Sequence, residues 1–205
     1  MELIQAIENR VSIRSFTAEA VGKETLREII RRAGMAPSIN NSQPWKFLII
    51  SNKELLSKMA EGVSERINSL PAKGKEDPNS ALLSRVEWFS TFFEDAPVLI
   101  AMLMKPYTSI AEQGAAISHE EINRMRNFPD MQTAGAAVQN ILLSAVDFGL
   151  GACWMSPPLV AQEKLESLLK VEQPWKLVTF VALGHPFGKP SKKVKKSVEE
   201  ISEFI

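Results

Sequence analysis

The sequence predicts a single domain that mixes strands and helices, of α+β or α/β class. Three observations carry that expectation. Residues 97–104 form a nearly unbroken apolar run of strand length, suited to a strand buried on both faces. Residues 131–148 carry apolar side chains at helical spacing over several turns. Strand-like and helix-like stretches are interspersed along the chain without an internal repeat. A length of 205 residues fits one domain, 1–205, and a hydrophobic content of 45% supplies a substantial core.

The elements follow in order. Leu3, Ile4 and Ile7 fall at helical spacing and predict a short opening helix. Residues 23–35 read as a helix whose buried stripe is Leu26, Ile29, Ile30 and Ala33, ended by Pro37. Residues 38–44 are a loop, and 45–50 a strand of bulky and β-branched residues. Residues 53–70 are helical, with Leu55, Leu56, Met59, Val63 and Ile67 inside. Residues 71–80, rich in Pro, Gly, Lys and Asp, read as a mobile surface loop. A helix over 82–93 precedes the central strand. Residues 105–129 are less regular and hold Tyr107, His119 and Phe128; they are placed to cover a site. In the helix over 131–148 the stripe is Ala134, Ala137, Val138, Ile141, Leu142 and Ala145. Gly135, Ala136 and Ala137 are small enough to admit another backbone, and Gly149 and Gly151 stop the helix. A short strand over 152–155, a helix over 159–169, a strand over 175–183 and a turn region over 184–191 complete the body. Residues 198–205 are a terminal helix or tail.

Composition excludes several classes. Lys plus Arg and Asp plus Glu are 24 each, and that balance argues against a nucleic-acid partner. A local basic patch can still hold one phosphate. Cys153 is the only cysteine, so an internal disulfide is excluded and a reducing compartment is expected. No apolar run has bilayer length, and the first residues lack the basic start and apolar core of a signal peptide. A cytoplasmic protein with no membrane partner is the expectation.

The usual catalytic signatures are missing. There is no Walker motif, and Gly149-Leu150-Gly151 follows a helix, the wrong context for a dinucleotide fingerprint. One cysteine with His119 and His185 makes no zinc site, so no metal is expected. His185 reads as a turn residue rather than a base, and Cys153 as a buried thiol rather than a nucleophile. Three features remain. In residues 10–16, Arg10, Ser12 and Arg14 alternate, so an extended chain points all three one way. Two guanidinium forks and a hydroxyl suit phosphate oxygens; a solvated surface strand is the other reading. Residues 37–45 gather amides and hydroxyls between Pro37 and Pro44, with Trp45 at the end. Amides both donate and accept, which suits a heterocycle; an ordinary helix-to-strand connection is the alternative. Lys192, Lys193, Lys195 and Lys196 form a charge run that by itself reads as solvated.

Together these pieces resemble the nitroreductase family of FMN-dependent oxidoreductases. The resemblance rests on Arg10-x-Ser-x-Arg14, the loop 37–45, the stretch Gly149-Leu150-Gly151-Ala152-Cys153-Trp154, and Leu183-Gly184-His185-Pro186 followed by the lysines, in that order. It is weak between about residues 70 and 129. It implies an α+β fold in three layers, a mixed and mainly antiparallel sheet surrounded by helices. It also implies a homodimer with FMN at the subunit interface and extended termini that embrace the partner. Arg10 and Ser12 match the positions that hold the FMN phosphate, and Arg14 the residue that reaches the ribityl chain and the N1/O2 edge of the flavin. Lys193 and Lys195 match the basic pair that completes the phosphate pocket. Pro37, Ser38, Ile39 and Asn41 match the loop that packs on the flavin from the partner subunit. Met155 and Ser156 fall where the backbone approaches flavin N5 and O4. Pro157 has no N–H, so Ser156 is the expected donor there.

The activity so implied is hydride transfer from NADH or NADPH through flavin N5 to a small-molecule acceptor such as a nitroaromatic or quinone, in ping-pong fashion. The flavin carries the chemistry and no protein nucleophile is needed. Other flavin reactions on the same fold, flavin fragmentation or reductive dehalogenation, are the near alternatives. A non-catalytic, redox-sensing FMN dimer is the alternative from another class.

Overall fold

The computed structural model describes residues 1–71, 80–107, 112, 114–188 and 194–205. Four strands make one sheet: β1 (Trp45–Ile50), β2 (Val98–Met104), β3 (Gly151–Met155) and β4 (Lys176–Gly184), in the order β1-β2-β4-β3. Every pairing between them is antiparallel. The helices are α1 (Leu3–Asn9), α2 (Lys23–Ala33), α3 (Lys53–Asn68), α4 (Ser80–Thr91), α5 (His119–Met125), α6 (Pro129–Asp147), α7 (Gln162–Leu168) and α8 (Val198–Ile201).

β2 sits inside the sheet, and all of its residues are buried. Its side chains alternate between two cores, as the pleat requires. Leu99, Ala101 and Leu103 pack with Phe93, Phe180, Leu56 of α3 and Leu165 of α7. Val98, Ile100, Met102 and Met104 pack with Ile29 of α2 and with Ala137, Val138 and Ile141 of α6. Helices therefore cover both faces, and the fold is α+β in three layers, as expected. Among the described residues the sheet is mixed through one parallel bridge, between Ser12 and Ala152. The stripe expected along 131–148 is buried throughout in α6.

Several boundaries differ from the expectation. α2 stops at Ala33, because Gly34 caps it and donates its N–H to Ile30. The helix expected over 82–93 ends at Thr91 and tightens into a 3-10 turn, Phe92–Asp95. The helix expected over 159–169 is split into a 3-10 turn, Pro157–Ala161, and α7. Pro157 and Pro158 supply no N–H, so a regular ladder starts only after them. Gly149 does stop α6: it lies at φ +70, and Gly149 and Leu150 donate back to Val146 and Ala145. This is a Schellman ending. Gly151 has a different role, as the first residue of β3. Residues 72–79 of the expected surface loop, and 189–191 of the expected turn region, lie outside the described residues. No described helix is long and apolar enough to cross a membrane.

Candidate cofactor site

Residues 10–16 leave α1 at Arg10, whose backbone is already extended (φ -63, ψ 116). The segment then lies along β3 and crosses to the end of β4. Ile13 donates to the Ala152 carbonyl at 3.0 Å, Thr17 donates to His185 at 2.9 Å, and Phe187 donates to Ser15 at 3.0 Å. Two glycines make room for it. A Cβ on Gly151 would lie 2.7 Å from the Ile13 side chain, and one on Gly184 would lie 2.4 Å from Pro97 and 3.1 Å from Phe16. Real Cβ atoms do not come as close as the contacts with Ile13 and Pro97, so Ile13 seats on β3 because Gly151 lacks one, and Gly184 lets Pro97 and, less tightly, Phe16 close on the end of β4.

With the backbone held there, Ser12 pairs with Ala152 and the charges of Arg10 and Arg14 are felt at the neighbouring Cys153 thiol. Burial pushes that thiol up, while the Arg14 charge, a hydrogen bond from Ser12 and the Arg10 charge pull it down. Cys153 itself is a buried free thiol, in keeping with the inert reading. Arg14 also stacks on Phe89 of α4, its guanidinium carbon 5.4 Å from the ring centroid. Arg85 approaches the same ring at 5.7 Å. Arg85 and Phe89 were not legible as site neighbours, since nothing in their spacing ties them to residues 10–16.

Met155 and Ser156 close β3 one step further on. Met155 is buried and Ser156 exposed. Beside them lies a cavity of ≈ 330 Å³ lined by Met131, Ala134, Trp154, Ser156, Val178 and Thr179. The indole of Trp154 donates to the Thr179 hydroxyl at 2.6 Å, and that hydroxyl donates to the Met155 carbonyl at 3.0 Å. Gly135 of α6 faces the indole, and a Cβ there would make an ordinary contact with the ring at 3.6 Å. The Trp154–Thr179 pair is another feature that the sequence reading missed.

The loop carrying Pro37, Ser38, Ile39 and Asn41 is a tight structure. It contains the 3-10 turn Ile39–Asn41, and Asn40, Asn41 and Gln43 all have positive φ. Asparagine tolerates that region better than most residues. Ser38 Oγ accepts from Gln43 N–H at 3.0 Å, and Ile39 N–H reaches Thr133 of α6 at 3.4 Å. The loop leads into β1, whereas residues 10–14 border β3 at the other edge of the sheet. Three strand spacings separate those edges, roughly 14 Å. Within one protomer the loop and the arginine segment are therefore apart. Lys195 lies in an exposed stretch before α8, with no hydrogen bond or ion pair to residues 10–14 among the described residues. Lys193 lies outside the described residues. His185 stands at the end of β4, with Nε2 3.5 Å from Glu19, as befits a turn residue. No cluster of metal-ligating side chains occurs among the described residues.

The family model described as the nitroreductase family matches residues 7–185. An iodotyrosine deiodinase from Hydra vulgaris is 30% identical over 179 residues; the match covers 86% of this chain but only 62% of that protein. The chain thus spans less than two thirds of that relative. Among solved structures, a BluB-like flavoprotein from Clostridium difficile 630 superposes with a TM-score of 0.88 at 31% identity, covering 100% of this chain and 99% of that one. A nitroreductase with bound FMN from Desulfitobacterium hafniense DCB-2 shares the fold at a TM-score of 0.76 and 21% identity, covering 100% and 99% of the two chains.

Proposed function

This chain belongs to the nitroreductase family, and from that premise we propose that it is an FMN-dependent oxidoreductase. It takes reducing equivalents from NADH or NADPH and delivers them to a nitroaromatic, quinone or related acceptor. The observation that supports this reading is the seating of residues 10–16 against β3 and the end of β4, which holds Arg10, Ser12 and Arg14 at alternate positions of an extended segment. Two guanidinium forks and a hydroxyl on one side of a strand are the donor set that a phosphate monoester needs. FMN is also the cofactor bound in the Desulfitobacterium hafniense protein.

When bound, FMN supplies hydride acceptance and donation. The chain's part is to hold and orient. Arg10 and Ser12 take the phosphate, with Lys193 and Lys195 as further cations. Arg14 places positive charge where the reduced ring becomes anionic. Met155 and Ser156 bound the ring at the end of β3. The apolar cavity beside Trp154 and Met131 favours a flat acceptor and keeps water sparse. We infer a homodimer, with Pro37, Ser38, Ile39 and Asn41 of one subunit meeting the flavin held by the other, because one chain keeps that loop and residues 10–14 at opposite sheet edges. A cytoplasmic setting accords with the single cysteine.

Reductive dehalogenation is the second reading, favoured by the deiodinase relative. The test is the visible spectrum of the purified protein under anaerobic conditions, before and after NADH or NADPH. A flavin spectrum bleached by a nicotinamide and restored by a nitroaromatic is expected. A protein that stays colourless when FMN is supplied would sink the proposal. Flavin that dithionite reduces and an iodophenol reoxidises with iodide release, while nitroaromatics do not, would select the second reading.

A further inference from the structure

A separate polar cluster fastens the first turn of α6. Its members are Tyr107, Glu112, His119, Asn123 and Asp130. Tyr107 and Asn123 are buried, and the His119 and Glu112 side chains are 26% and 21% exposed. Asn123 Nδ2 lies 3.1 Å from Asp130 Oδ2 and 3.0 Å from His119 Nε2. Its Oδ1 accepts from the Tyr107 hydroxyl at 3.2 Å, and His119 Nδ1 is 2.8 Å from Glu112 Oε1.

The proton positions follow by elimination. An ionised Asp130 can only accept, so the Asn123 atom facing it is the amide nitrogen. That nitrogen has only protons to offer, so His119 Nε2 must accept and carry none. The ring proton then sits on Nδ1 and points at Glu112. The Asn123 carbonyl is left for Tyr107. A second proton on His119 has no partner, because Nε2–H would oppose the amide N–H. Turning the amide over would accommodate the imidazolium but would set its oxygen against Asp130.

The same asparagine holds a costly turn. Asn127 and Phe128 both have positive φ (56 and 54), and Phe128 N–H donates to the backbone carbonyl of Asn123 at 2.6 Å. Non-glycine residues stay in that region only where their surroundings insist. The next residues are Pro129 and Asp130 of α6, and then Met131, which lines the cavity beside Trp154.

We propose that Glu112, His119, Asn123, Asp130 and Tyr107 form a pH-sensitive clasp: neutral His119 accepts from the Asn123 amide that ties Tyr107 to Asp130 at the start of α6, and a proton on His119 Nε2 breaks that contact and turns the amide away from Asp130, while Nδ1–H stays on Glu112. The charges facing the ring act in both directions. Glu112, and Asp130 from α6, favour the imidazolium. The Asn123 amide opposes it directly, and Arg126, which hydrogen-bonds the Tyr107 hydroxyl, opposes it by charge. On the exposed side of α5, Arg124 and Glu120 pair with each other at 2.9 Å. Losing the Asn123 tie to Asp130 would loosen the Met131 wall of the cavity, and on the proposed function acceptor access would then respond to acidification.

The chain has one tyrosine and two histidines, so magnetic resonance can follow each ring in the full-length protein. The protein is labelled with 13C at the tyrosine Cζ and 15N in the histidine rings, and titrated from about pH 8 to about pH 5. At the upper limit His119 is expected as the Nδ1–H tautomer. On acidification the Tyr107 resonance is expected to shift with the His119 midpoint. His119→Gln should abolish that shift, and His185→Gln should leave it. Glu112→Gln, a milder change that removes only the carboxylate charge, should carry both midpoints to lower pH together. An Nε2–H tautomer, a Tyr107 resonance indifferent to His119 protonation, or separate midpoints in Glu112→Gln would overturn the clasp.

Discussion

Arg14 has an aromatic ring beneath it and no carboxylate beside it among the described residues. Arg85 shares that ring without an ion pair of its own among the described residues. Two unneutralised guanidinium groups around Phe89 leave this corner of the molecule short of an anion. On the proposed reading the deficit is made up by the cofactor, and most of all by its anionic reduced form. Arg14→Ala is therefore expected to weaken FMN retention about 10- to 100-fold, the worth of one charge-assisted hydrogen bond of roughly 1.5–3 kcal/mol. It should also lower the two-electron potential, by about 30 mV for each tenfold loss of preference for the reduced form. Flavin content after gel filtration and an equilibrium titration against a reference dye read the two effects. Unchanged content and potential would remove Arg14 from the flavin edge. The sequence makes half of this corner readable. Arg10, Ser12 and Arg14 share a side because alternation along an extended segment is a local property. Phe89 and Arg85 arrive there by packing of α4, which leaves no trace in spacing.

At the scale of elements, the decisive contact is between residues 10–16 and the ends of β3 and β4. The patterns predicted these strands well, because an apolar run of strand length has few other fates, and β1 begins and ends where expected. They did not predict that Gly184 and Gly151 are where the N-terminal segment presses on the sheet. Gly184 looked like part of a turn and Gly151 like a helix stop, yet each is a site of close approach. A glycine signals freedom but not which neighbour uses it. Gly184→Ala makes the distinction measurable. Its methyl group would meet Pro97 at 2.4 Å, with Phe16 on the other side, and the proline ring has little room to yield. Overpacking of this kind costs about 1–3 kcal/mol, or a fall in Tm of roughly 2–12 °C at this chain length. Differential scanning calorimetry checks it. Flavin retention should fall as well if the strain is passed on through Phe16, the member of residues 10–16 that lies 3.1 Å from the added methyl group. A variant with the wild-type Tm would mean that Pro97 and Phe16 do not close on Gly184 this tightly. The excursion over 105–129 was less legible still. Among its described residues Asn123 meets Tyr107, His119 and Asp130, residues that only the folded chain brings together.

The whole molecule is a closed core with two open features. β1 pairs on one side only among the described residues, and Ile49 on it is 42% exposed. The last residues carry Val198, Ile201, Phe204 and Ile205 on a stretch that buries nothing. A short helix capped by Ser197 and Glu200, with its apolar side chains in water, has no reason to persist alone. Both features make sense if the proposed homodimer is held by its termini. The fold class was legible because strand and helix periods are local, whereas assembly is not, since the partner surface is assembled from distant parts of the chain. Joint replacement of Ile201 and Phe204 by Asp tests that step. Burying each side chain contributes roughly 1.5–3 kcal/mol, so their loss from both tails should weaken association by well over a hundredfold. Sedimentation velocity on the purified double variant should show a protomer near 22.8 kDa, where the unchanged chain is expected at twice that mass. Flavin content should fall with dimerisation, since residues 37–41 of one subunit would no longer meet the cofactor of the other. Calorimetry of the same sample separates this outcome from unfolding, because residues 198–205 contribute nothing to either core. A double variant that stays dimeric and keeps its flavin would show that the tails take no part in assembly.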